Sequence, residues 1–119
     1  MRFNTKDITY YNQPFDHWVL DDFLDVNDAK KLSNQFIDFD NPTEEIIHYK
    51  GWIGEKRTCN RWDRFPPLTY STFSNLLSDK FIDKLSNITG ITPLYPDIGL
   101  HGGGWHMSGK GGSLAMHLD

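Results

Sequence analysis

Cysteine is nearly missing from this sequence, and long apolar runs are missing altogether. Cys59 stands alone among 119 residues, so neither an internal disulfide nor a multi-thiolate zinc site is available. No apolar stretch approaches 18 residues and the mean hydropathy is -0.56, which excludes a membrane-spanning helix. The opening Met1-Arg2-Phe3-Asn4-Thr5-Lys6-Asp7 lacks the apolar core of a signal peptide. A reducing, cytoplasmic setting is therefore expected. Basic residues are also in short supply: 12 Lys/Arg against 16 Asp/Glu give a net charge of -4, the wrong sign for a general nucleic-acid partner. Residues 48–64 run against that balance, with five Lys/Arg against two Asp/Glu, which leaves -7 elsewhere. Such a segment serves either as a solvated loop face or as a steering patch for an acidic substrate.

What is present is aromatic and patterned. Eight Phe, five Tyr and four Trp are enough for the core of one domain of this length. Residues 15–24 combine β-branched and aromatic side chains and predict a strand with a turn at Asp21-Asp22. Val26, Ala29, Leu32, Phe36 and Ile37 then fall at helical spacing, with Asp25 or Asn27 as the cap and Asn41-Pro42 as the stop. Residues 46–65 suggest short strands joined by a loop. Pro66-Pro67 opens a second helical stretch, in which Tyr70, Phe73, Leu76, Leu77, Phe81, Leu85 and Ile88 form one apolar stripe with a candidate break near Ser78-Asp79. Gly90 is placed to leave that helix in the left-handed conformation.

From Ile98 onward glycine becomes dense, which disfavours helix by about 1 kcal/mol per interior position. A hairpin is expected instead: Leu100–Met107 as one arm, Ser113–Asp119 as the other, and Ser108-Gly109-Lys110-Gly111 as the turn. On the second arm, alternation places Ser113, Ala115, His117 and Asp119 on one face and Leu114, Met116 and Leu118 on the other, toward the core. An imidazole and a carboxylate two residues apart on one face suit two adjacent corners of a metal octahedron. A further histidine would complete the facial triad typical of non-haem Fe(II).

The segment Leu100-His-Gly-Gly-Gly-Trp-His-Met-Ser-Gly-Lys-Gly-Gly-Ser-Leu-Ala-Met-His-Leu-Asp119 resembles the iron-motif region of Fe(II)- and 2-oxoglutarate-dependent dioxygenases, nearest to their prolyl 4-hydroxylase-like branch. The order upstream is similar too: a strand at Asp16–Leu24, a helix directly after it, and a second helix ending Thr89-Gly90-Ile91. The likeness is specific over residues 90–119 and general before them. It implies an α+β fold in which N-terminal helices buttress a double-stranded β-helix, the jelly-roll. It also implies Fe(2+) held by His117 and Asp119, 2-oxoglutarate as co-substrate, ascorbate as a reductant, and hydroxylation of a C–H bond in a peptidyl or small-molecule substrate.

In that family a second histidine ligand and a basic partner for 2-oxoglutarate follow well downstream, and neither has a counterpart among these 119 residues. Residues 1–119 are accordingly expected to be one domain, the N-terminal portion of a dioxygenase that lacks the second half of its barrel. Within it, 1–97 would be a support region and 98–119 the start of the iron-binding core. Such a chain is expected to be inactive alone and prone to association. His101 and His106 are the nearby substitutes for the missing ligand.

Two alternatives stay open. One is a non-catalytic jelly-roll binding module. The other is a nucleotide-binding protein, since Gly104-Trp-His-Met-Ser-Gly109-Lys110 matches a phosphate-binding loop up to its lysine, although Gly111 replaces the required hydroxyl residue. Cys59 is expected to be an inert thiol, Lys110 a solvent-exposed turn residue, and Trp105 a packing residue. His17 and His48 lack ligand-spaced neighbours.

Overall fold

The computed structural model describes residues 2–36, 45–47, 52–53 and 56–117. Helices and strands are mixed, as an α+β class requires. Three helices accompany seven short strands, set in two two-stranded antiparallel pairs and one three-stranded sheet among the described residues. The chain divides into two compact units built from interleaved segments: Met1–Gln35 with Pro66–Pro96, and Phe36–Phe65 with Asp97–Asp119.

In the first unit, β1 (Ile8–Tyr11) and β2 (His17–Leu20) form an antiparallel hairpin in which Ile8 faces Leu20 and Tyr11 faces His17. The expected turn at Asp21-Asp22 follows, with Asp22 at φ 48. A short apolar polar-flanked run such as β1 carries little periodic signal, and sequence reasoning passed over it. The first helix, α1 (Val26–Asn34), is capped by Asp25, whose carboxylate accepts from the N–H groups of Asn27 and Asp28. That satisfies donors the helix cannot satisfy itself. It closes at Gln35, six residues short of Asn41; Ile37 and Asn41-Pro42 lie outside the described residues.

The second helical stretch is two helices, α2 (Pro67–Leu76) and α3 (Asp79–Thr89), divided at the Ser78-Asp79 step. Ser78 caps α3 by accepting from the Phe81 N–H, while its hydroxyl donates to the Asn75 carbonyl. Gly90 ends α3 at φ 71, the left-handed geometry in which a glycine has no Cβ penalty. The break alters the apolar face. On α2 the buried positions are Thr69 and Thr72, and Tyr70 is exposed. Thr69, Thr72, Phe73 and Leu76 follow the i, i+3, i+4, i+7 spacing of a single face.

Threonine can be buried here because each hydroxyl has an acceptor. Thr72 donates to the Leu68 carbonyl at 2.7 Å, and Thr69 lies 3.5 Å from the Gln35 side-chain oxygen. The same Gln35 oxygen accepts from the Thr69 N–H at 3.1 Å. Pro66 has no side chain able to cap α2, so Gln35, 34 positions before Thr69, takes that role. A cluster of Phe3, Phe23 and Phe81 completes the unit, with ring centroids 4.8 to 6.0 Å apart.

In the second unit, β3 (Glu45–Ile47), β5 (Lys56–Cys59) and β6 (Trp105–Ser108) form the three-stranded sheet in that order. β4 (Trp52–Ile53) pairs with β7 (Ser113–Leu114). Among the described residues of this unit, Cys59, Phe65 and Leu100 are the buried apolar ones. A 3-10 turn at Trp62–Arg64 links β5 to α2, and the Trp62 indole donates to the Ile98 carbonyl at 2.9 Å.

Candidate metal centre

The glycine-rich segment does not fold as the expected hairpin. β6 pairs with β5, Lys56 facing Ser108 and Cys59 facing Trp105, whereas β7 pairs with β4, Ile53 facing Ser113 and Trp52 facing Leu114. Both pairings are antiparallel, so β6 and β7 find their partners in β5 and β4 and not in each other. Two residues, 54 and 55, separate β4 from β5, while four, 109–112, separate β6 from β7. The surplus is taken up in a turn closed by the Gly112 N–H donating to the Gly109 carbonyl at 3.0 Å. Extra residues on one side of a ladder make a bulge rather than a reversal. A turn signal in sequence reads the same in both cases, and only the partner strand separates them.

Gly104 sits where this course begins, at φ 118. A Cβ there would come 2.5 Å from the Cys59 carbonyl oxygen and 3.1 Å from the Asn60 Cα. Main chain meets main chain at this point, which only glycine permits. Just upstream, Asp97 organises a tight turn. Its carboxylate accepts from the Gly102 N–H at 2.9 Å and lies 3.1 Å from His101 Nδ1, while its carbonyl accepts from the Leu100 N–H. The Gly102 N–H, then the His101 ring, hold the Asp97 carboxyl below its ordinary range. Leu100, at φ 52 and buried, is further held by Asn60, whose amide donates to its carbonyl. Sequence reasoning gave Asp97 no role. The signal was there, since aspartate before a glycine-dense run is a turn former.

Of the two expected ligands, His117 is described and Asp119 lies outside the described residues, as does Leu118. β7 ends at Leu114, so Ala115, Met116 and His117 continue beyond the paired strand. The expected inward trio is not formed by its described members: Leu114 is 42% exposed and Met116 fully exposed. Two paired residues are too few to impose strand alternation on the three that follow.

His117 itself is exposed, and its Nδ1 lies 3.0 Å from the Ala115 carbonyl oxygen. A carbonyl only accepts, so Nδ1 is the donor in this contact. A histidine ligand makes such a contact when a carbonyl orients it from behind. Neither proposed substitute ligand joins it in a cluster. His101 is engaged with Asp97, and His106 is exposed on β6 opposite Thr58. Among the described residues no three His, Cys, Asp or Glu side chains come together as a metal site.

The remaining expectations resolve into packing. Cys59 is buried, Lys110 is exposed at the turn, and Trp105 meets Phe36 edge-on at 5.0 Å. His17 stacks on Tyr11 and donates from Nδ1 to the Phe15 carbonyl. His48 lies outside the described residues. The run Gly104–Lys110 is mostly strand, paired residue for residue with β5, and no helix begins after it among the described residues. A phosphate-binding loop would place a helix N-terminus there. No helix of the described residues is long and apolar enough to cross a membrane. No protein-family model, no curated protein and no solved structure matches this chain.

Proposed function

We propose that this chain carries the first part of the iron-binding core of an Fe(II)- and 2-oxoglutarate-dependent dioxygenase of the prolyl hydroxylase type, with His117 and Asp119 as metal ligands. The observation that carries the reading is the His117–Ala115 hydrogen bond, in which Nδ1 meets the carbonyl oxygen and so orients the ring. Asp119 enters through the His-x-Asp spacing and the family resemblance. β6 and β7 pair with different strands, β5 and β4, and the jelly-roll reading rests on the family resemblance.

When bound, ferrous iron with 2-oxoglutarate and O₂ would supply the oxidising chemistry that hydroxylates a C–H bond. The chain's own contribution is to present the His117 ring in one orientation, hold the strand course with Gly104, and brace the approach with the Asp97 turn. The reading requires a further histidine and a basic residue from sequence beyond position 119. Proline in a peptide and a small metabolite both remain within its substrate range.

A non-catalytic module on the same framework is the second reading. The exposure of His117 beside a fully exposed Met116 favours it, because oxygenase chemistry needs water excluded. Metal binding separates the two. Under anaerobic conditions Fe(II) should broaden NMR signals of residues 113–117 in a saturable way, and His117→Ala or Asp119→Ala should abolish the effect. In a chain continuing past Asp119, 2-oxoglutarate consumption should fall more than about 100-fold in either variant, since loss of a mere supporting contact costs about 10- to 100-fold. Unchanged broadening or turnover in the variants would remove the ligand assignment.

A further inference from the structure

A cleft of about 310 Å³ opens in the first unit between the N-terminal segment and the start of α3. It is lined by Arg2, Phe3, Thr5, Asn75, Ser78, Lys80, Phe81 and Lys84. The lining contains three cations and no acid. Lys80 and Lys84 stand one helical turn apart on α3 and so project on one side of it, and Arg2 reaches the same space from the chain start. None of the three takes part in an ion pair among the described residues. The acids of α3, Asp79 and Asp83, do not line the cleft.

Three uncompensated positive charges converging on one concavity repel one another, and an anion relieves that repulsion. The floor has a different character. Phe3 and Phe81 meet edge-on at 5.2 Å, half-buried, with Phe23 stacked behind Phe3. The site thus joins a cationic rim to an aromatic base, in the size range of small-molecule pockets.

We propose that this cleft binds a small phosphate monoester with an apolar or aromatic body, its phosphate held by Arg2, Lys80 and Lys84 and its body resting on Phe3 and Phe81. Charge selects phosphate over carboxylate: a monoester near pH 7 carries close to two negative charges, and a carboxylate carries one against three cations. Arginine offers a planar fork of donors for phosphate oxygens, and the lysines act as point charges. Ser78 is committed to the cap of α3 and to the Asn75 carbonyl, so it shapes the rim while the cations do the binding. The site lies wholly within the first unit and is independent of the iron reading.

NMR titration of the full 119-residue chain with phenyl phosphate, inorganic phosphate and benzoate tests the proposal. Phenyl phosphate should move the amide signals of Thr5 and residues 78–84 saturably. Inorganic phosphate and benzoate should each bind at least tenfold more weakly, one lacking the body and the other the second charge. The double substitution Lys80→Gln and Lys84→Gln, on exposed positions where glutamine keeps helix propensity, should weaken phenyl phosphate at least tenfold with the unbound spectrum otherwise retained. Arg2→Gln supplies an independent check, with a loss in the same direction. Absence of a saturable shift, equal binding of benzoate, or undiminished affinity in the lysine variant would each overturn the assignment.

Discussion

At the scale of single residues, the most informative positions are those where backbone meets backbone. Gly104→Ala forces a Cβ to within 2.5 Å of a carbonyl oxygen at φ 118, and neither atom belongs to a flexible side chain. A loss of about 2 kcal/mol or more is expected in urea unfolding. Gly102→Ala, where nothing lies within 4 Å of the added carbon, should stay within about 0.5 kcal/mol and serves as the control. Asp97 provides a pH test at the same scale. Its carboxyl is held below the ordinary value of 3.8, so the charged form is the one favoured by the folded turn. The contribution is complete above that ordinary value and is lost as pH falls through the depressed one. Exchange protection of the Gly102 amide should fall over that acid range, and Asp97→Asn should flatten the dependence. Protection that stays constant through the acid limb would show that the Asp97–Gly102 contact does not order the turn.

At the scale of elements, the helices are held by two kinds of contact that sequence reveals unequally. Asp25, Ser78 and Gly90 act within a few residues of the termini they close, and all three are readable from residue type and position. Gln35 acts on α2 from the far end of α1. No local pattern announces it, because glutamine after a helix has no preferred partner until the helices pack. Ser78→Ala and Gln35→Ala are each expected to cost about 1 kcal/mol in thermal or urea unfolding. Gln35→Glu separates the hydrogen bond from volume, since a carboxylate keeps the acceptor. Near-wild-type stability is expected for that variant, and a loss equal to that of Gln35→Ala would assign the effect to something other than the acceptor. The strand elements teach the converse lesson: glycine spacing placed a turn at 108–111, where the structure closes one over 109–112, yet a turn signal is silent about whether the flanking strands pair with each other or with a third.

For the molecule as a whole, two facts bear on behaviour in solution. The buried apolar residues among those described are only Leu32, Cys59, Phe65 and Leu100, while Tyr95, Phe15, Ile98 and Met116 are each more than 65% exposed. Exposed apolar side chains in this number favour association. Sedimentation velocity should show weight-average mass rising with concentration, and Met116→Ser with Ile98→Ser should reduce the rise; a monomer at all concentrations would contradict this. The division into two units adds an expectation for hydrogen exchange, with amides of 26–34 and 67–89 forming one protection class and those of 56–59 and 105–108 another.

Local chemistry settled a good deal of this protein from its sequence alone: the α+β class, where α1 begins, where the second helical stretch breaks and ends, and the glycine turn. Each depends on groups within about five positions, for which residue type already states the energetics. Tertiary structure alone decided that 105–108 pair with 56–59 and 113–114 with 52–53, that threonines form the inward face of α2, that Gln35 caps a helix it does not belong to, and that Arg2, Lys80 and Lys84 line one cleft. In all of these the partners are separated by tens of residues. Burial and charge depend on what finally stands opposite a side chain, and that is a property of the folded chain.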